Sequence, residues 1–157
     1  MKIIVSQDEG YVAWEGELNT LEDLRVVANL AATIVKASDK IILCGPLGAG
    51  KTTFVRYFVE ALGGDPRMVT SPTFMLEHRY PTTERGMISH WDLYRLADPP
   101  QDWGPEDGVF VSCIEWGDKF LSVLSEGILV LYWKITVSLA NNTLMRSLRM
   151  IHRRGIS

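Results

Sequence analysis

The amino-acid sequence predicts an α/β fold in which a mixed parallel and antiparallel sheet is flanked by helices. Three observations carry that prediction. Lys40-Ile41-Ile42-Leu43-Cys44 is a short apolar run that stops at Gly45 and passes through a glycine-rich loop into a helical pattern, the unit from which parallel sheets are built. Strand-like and helix-like segments alternate in the first half, while the second half holds mostly strand-like, hairpin-spaced runs, which points to a mixed sheet. The 157 residues, 46% of them hydrophobic, are enough to bury one core without disulfides or a structural metal, so residues 1–157 are expected to form a single domain.

The elements follow in order. Ile3-Ile4-Val5 and Tyr11-Val12-Ala13-Trp14 read as strands. Thr20, with Asp23 three residues on, resembles a capping box, and Leu21, Leu24, Val27, Ala28, Ala31, Ile34 and Val35 then recur at helical spacing to about residue 37. After the strand at Lys40–Cys44 a second helix is predicted from Lys51 to Leu62, closed by Gly63-Gly64. Thr73–Tyr80 reads as a strand turning at Pro81, and Gly86–Tyr94 as its hairpin partner. Residues 97–108, rich in proline, glycine and acids, read as a loop. Val109–Glu115 is an apolar strand, Asp118–Leu124 a short helix, and Ile128–Val137 and Leu144–Ile151 are two late strands.

Composition narrows the function classes. The longest apolar run, near Ile128–Trp133, is far below the roughly 20 residues that span a bilayer, and the N-terminus turns acidic before any secretory apolar region develops. A soluble, unexported protein with no membrane association is expected. Cys44 and Cys113 both sit in apolar runs and read as small buried hydrophobes, which fits a reducing cytoplasm. Residues 1–126 carry 11 basic and 19 acidic side chains, whereas residues 127–157 carry five basic and none acidic. The body therefore repels a polyanion, and a basic tail ending in His152, Arg153 and Arg154 attracts one only weakly.

Gly45-Pro46-Leu47-Gly48-Ala49-Gly50-Lys51-Thr52 matches the phosphate-binding pattern G-x-x-x-x-G-K-[ST], between a predicted strand and a predicted helix. That context is what the mechanism needs: glycines let backbone N–H groups turn toward phosphate oxygens, and the helix N-terminus adds positive partial charge. Lys51 would reach the β- and γ-phosphates and the Thr52 hydroxyl would hold magnesium. A second acid for the metal is expected at the end of a neighbouring buried strand. Glu115, the first charge after Val109–Ile114, has that position, and Asp92, after Ile88-Ser89-His90-Trp91, is the other candidate. His90 reads as an ordinary strand histidine with one hydrogen-bond partner.

Four motifs in order resemble the bacterial TsaE (YjeE) family: Gly45–Thr53, Thr70-Ser71-Pro72-Thr73-Phe74, His90-Trp91-Asp92-Leu93-Tyr94-Arg95-Leu96 and Ile114-Glu115-Trp116. The resemblance implies a P-loop NTPase-like domain that binds ATP with Mg2+ and hydrolyses it slowly. The work is done beside a threonylcarbamoyl transferase complex of TsaB and TsaD type proteins during tRNA modification. Contact with tRNA is then indirect. It also implies that Gly48, Ala49, Gly50, Lys51, Thr52 and Thr53 cradle the phosphates and that Thr52 and Glu115 bind the metal. Thr73 takes a switch-like position near the γ-phosphate, Asp92 matches an acid of the family's nucleotide site, and Trp116 matches a family tryptophan that serves equally well as a packing wall. The chain departs from the family at Pro46, at Gly117-Asp118 and in a short 97–108 segment, and Arg146 matches the last strand only loosely. Two other classes use the same loop. A small-molecule kinase needs an arginine-bearing lid, which the acidic 97–108 segment does not supply, and a nucleotide-gated docking protein reads ATP binding rather than turnover.

Overall fold

The computed structural model describes residues 3–8, 11–72, 76–100, 108–123, 128–138 and 143–153. Its strands are β1 (Ile3–Asp8), β2 (Tyr11–Leu18), β3 (Lys40–Cys44), β4 (Glu77–Thr82), β5 (Gly86–Asp92), β6 (Val109–Glu115), β7 (Ile128–Ser138) and β8 (Thr143–Arg153). They form one sheet in the order β1-β2-β8-β7-β3-β6-β5-β4. The four central strands β7, β3, β6 and β5 run parallel, and antiparallel pairs complete both ends. The expected mixed sheet is what forms.

Helices α1 (Leu21–Ile34) and α2 (Lys51–Ala61) pack against the same face of that sheet. The period-2 alternation of the strands assigns the faces: Ile41, Leu43, Val111, Cys113, Leu129 and Leu131 meet the helices, while Ile42, Cys44, Ile114, Ile128 and Val130 point the other way. The second face is closed by Leu93, Phe120 and Trp116 from irregular segments and a short 3-10 turn at Gly117–Phe120. Phe54 and Phe58 of α2 are fully buried under the helix layer, each worth roughly 1.5–3 kcal/mol of transfer free energy.

Local chemistry explains the boundaries. The capping box at α1 is complete: the Thr20 hydroxyl accepts from the Asp23 N–H at 3.2 Å, and the Asp23 carboxylate accepts from the Thr20 N–H at 3.2 Å. Thr20→Ala is expected to lower the unfolding free energy by about 1 kcal/mol, read as a lower urea midpoint at unchanged slope. Helix α1 stops at Ile34, short of the expected residue 37. Val35 is already extended, Ser38 sits at φ 72°, and the Ser38 N–H and Asp39 carbonyl are both bonded to β6.

Pro81 does not turn the chain as expected. It continues β4, paired with Met87, because β4 is the edge strand and a missing N–H costs nothing on its open side. The turn comes at Thr82–Gly86, where the Thr82 hydroxyl donates to the Gly86 carbonyl at 2.6 Å and accepts from the Arg85 N–H. Strand β5 ends at Asp92 rather than Tyr94, because the Asp92 carboxylate accepts the Tyr94 N–H at 3.0 Å and bends the backbone. The expected helix at 118–124 is only the 3-10 turn at Gly117–Phe120, and residue 124 lies outside the described residues. The basic stretch at the C-terminal end is not a tail up to Arg153: β8 lies between β2 and β7, with Arg153 paired to Tyr11 and Ile128. Arg154 lies outside the described residues.

Candidate nucleotide site

Parallel pairing brings three strand ends to one rim. Leu43 of β3 is in register with Glu115 of β6, and Glu115 with Asp92 of β5. The loop Gly45–Gly50 leaves β3 at that rim and enters α2, so two sequence-distant acids stand beside it, where open α/β sheets bind ligands.

Two glycines are required by the loop's geometry. A Cβ on Gly45 would lie 2.9 Å from the Trp133 Cβ and 3.2 Å from that of Ala49, so only glycine lets the loop pass this close. Gly50, the residue before α2, stands at φ 111° and offers no side-chain cap, which leaves the first N–H groups of α2 open to an anion. Lys51 begins the helix and is 5% exposed. Its Nζ donates to the carbonyl oxygens of Gly45 and Pro46, the latter at 3.2 Å, and lies 3.9 Å from the centre of the Trp116 ring. Burial lowers the Lys51 pKa, and the fields of Glu115, Asp92 and Asp118 offset part of that.

Glu115 is buried at the end of β6, on the face that meets α2. The Thr52 hydroxyl donates to its carboxylate at 3.0 and 3.2 Å, and His90 Nε2 lies 2.6 Å from Oε2. A buried carboxylate held by side-chain donors is tolerated where an unpaired one is not. Asp92 lines the same cleft, as do Gly48, Ala49, Gly50, Lys51, Thr52, Thr53 and Trp116, around a cavity of about 340 Å³. Thr73 lies outside the described residues, although Ser71, two positions before it, reaches the cleft wall.

The donor set fits a hard divalent cation. A hydroxyl and a carboxylate within hydrogen-bond distance of each other supply oxygen ligands, and such cations complete their shell with water and phosphate. Among the described residues no three His, Cys, Asp or Glu side chains converge so as to hold a metal ion by themselves.

Sequence reasoning missed several features here. His90 is fully buried with two partners rather than one, Glu115 and the Tyr80 hydroxyl at 2.8 Å from Nδ1. The signal available was a polar residue inside an apolar strand two positions before an acid. Tyr94 and Arg95 line the cleft, the Tyr94 ring 5.0 Å from that of Trp116. Arg146 Nη2 donates to the Gly48 carbonyl at 3.4 Å, and its buried Nε, like the buried Trp133 Nε1, has no acceptor among the described residues.

A family model described as threonylcarbamoyl adenosine biosynthesis protein TsaE matches residues 18–148. The tRNA threonylcarbamoyladenosine biosynthesis protein TsaE of Aquifex aeolicus is 40% identical over 103 residues, covering 65% of this chain and 75% of that protein. The protein of the same name from Bacillus subtilis is 39% identical over 100 residues, covering 60% of this chain and 61% of its own length. The one from Rickettsia typhi is 32% identical over 136 residues, covering 84% and 92%. The crystal structure of Bacillus subtilis YdiB has the same fold, with a TM-score of 0.63 at 23% identity over 96% of this chain and 88% of that one. Among the described residues no helix is long and apolar enough to cross a membrane.

Proposed function

This chain belongs to the TsaE family of threonylcarbamoyl adenosine biosynthesis proteins, and on that premise we propose that it is a magnesium-dependent ATPase activated by its partners. It acts in the cytoplasm as one domain over residues 1–157, in the threonylcarbamoyladenosine modification of tRNA. It supports a transferase complex of TsaB and TsaD type proteins and does not transfer the group itself. The observation that carries this reading is the convergence of Lys51, Thr52 and Glu115 at the head of α2, with the Thr52 hydroxyl on the Glu115 carboxylate.

In this reading the open N–H groups of the loop and of α2 bind the phosphate chain, and Lys51 turns from the Gly45 and Pro46 carbonyls to the β- and γ-phosphates. Thr52 and Glu115 hold magnesium, which when bound neutralises charge on the phosphates. Asp92, on the wall of the cleft, orients the attacking water, and Thr73, outside the described residues, keeps the switch-like role that the family resemblance gives it. Trp116 and Tyr94 form the wall that keeps Lys51 desolvated.

The test is ATP hydrolysis by the purified chain, titrated with the matching transferase pair. Low basal turnover that rises and saturates with the pair is expected. A flat response with intact ATP binding would overturn partner activation in favour of a nucleotide-gated docking protein.

A further inference from the structure

The floor of the site is a buried chain of polar groups that runs from the cleft to the segment before Thr73. His90 lies in the middle of β5, opposite Cys113 of β6, and is fully buried. Its Nε2 is 2.6 Å from Glu115 Oε2. An ionised carboxylate has no proton to give, so the hydrogen sits on Nε2 and His90 donates. On the other side of the ring the Tyr80 hydroxyl lies 2.8 Å from Nδ1. Tyr80 is 2% exposed and its phenol is pushed up to about 12 by burial, so it keeps its proton. Its hydroxyl donates at 3.3 Å to the carbonyl of Thr70, the residue before Ser71 on the cleft wall.

Packing alone does not account for this arrangement. Ile88 precedes His90 on the same face and Val111 precedes Cys113, so an apolar side chain at position 90 would continue the core but would take a partner from Glu115 Oε2 and from the Tyr80 hydroxyl, both buried. The imidazole instead uses both nitrogens, one on the acid and one on a tyrosine.

We propose that His90, anchored at Nδ1 by Tyr80, is a positioning residue for Glu115. It holds Oε2, which the Thr52 hydroxyl also reaches at 3.0 Å, and leaves Oε1, 3.2 Å from that hydroxyl, for the divalent cation of a bound nucleotide. This rests on the reading of Glu115 as a magnesium ligand. Outer-shell partners of this kind typically tune metal affinity 10- to 100-fold.

The experiment is ADP binding to the full chain by calorimetry, with and without Mg2+, for His90→Leu, His90→Gln, Tyr80→Phe and Glu115→Gln. The gain in ADP affinity that Mg2+ confers should fall about tenfold in His90→Leu, with Mg-free affinity unchanged. His90→Gln, which still offers an N–H to the carboxylate, should restore most of the gain. Tyr80→Phe should cost a few-fold, and the ring-nitrogen shifts of His90 should move with the loss of the partner at Nδ1. An intact gain in His90→Leu beside a lost gain in Glu115→Gln overturns the positioning role and leaves Glu115 standing. An intact gain in Glu115→Gln overturns the metal reading itself. Should His90→Leu fail to fold, Tyr80→Phe decides: an unchanged gain together with unchanged His90 nitrogen shifts overturns the proposal.

Discussion

Lys51→Ala is expected to lower magnesium-dependent ATP turnover by about a hundred- to a thousandfold while leaving the fold intact. The size follows from the setting of the ammonium. It is nearly buried beside a tryptophan face, held by two loop carbonyls until a phosphate takes their place. A charged donor in a poorly solvated site stabilises developing charge far better than one in water, and removing a comparable donor costs about 10²–10³ in rate. Stability should move little, or upward. Lys51 binds its proton less tightly folded than unfolded because burial penalises the charge, so the charged side chain opposes folding at neutral pH. The Gly45 and Pro46 carbonyls that lose their donor belong to the loop at the cleft, where water can replace it. Steady-state hydrolysis together with thermal unfolding checks both halves. Wild-type turnover in this variant would refute the assignment of the loop.

The parts of this molecule that could be read from the chain are those whose physics is local. The capping box of α1 needs only Thr20 and Asp23, and the loop from Gly45 to Gly50 declares itself between an apolar strand and an amphipathic helix. Glu115 was legible for a related reason: the first charge after a doubly buried strand must sit at its end, and parallel strands end at the same rim. What could not be read depends on partners far along the chain. The turn after β4 falls past Pro81 because β4 is an edge strand, and no local pattern says which strand will be at the edge. The two partners of His90 come from β4 and β6, and the pairing register that joins them is fixed only when the sheet assembles. Arg146 meets Gly48 across 98 positions, through the insertion of β8 beside β7.

Glu115→Gln should separate binding from chemistry. Glutamine has the same shape, and one orientation of its amide satisfies the site: its oxygen accepts from His90 while its nitrogen donates to the Thr52 hydroxyl. The fold is therefore expected to survive, as is ADP affinity without magnesium, since the loop N–H groups and Lys51 are untouched. What disappears is a negative charge facing the cation. A neutral amide oxygen is a weaker ligand for a hard divalent ion, and the charge balance that Thr52 and Glu115 give the phosphate site is lost. Magnesium-dependent hydrolysis should fall by about a thousandfold, the rate equivalent of roughly 4 kcal/mol of transition-state stabilisation. Single-turnover hydrolysis across a magnesium titration reads this directly, and raising the concentration should recover part of the loss if the defect lies in cation binding. A variant that no longer folds, shown by a lost unfolding transition, would make Glu115 the anchor of the buried chain through His90 and Tyr80 and nothing more. Unchanged hydrolysis in a folded variant would move the metal role to Asp92, the acid beside it in the parallel register.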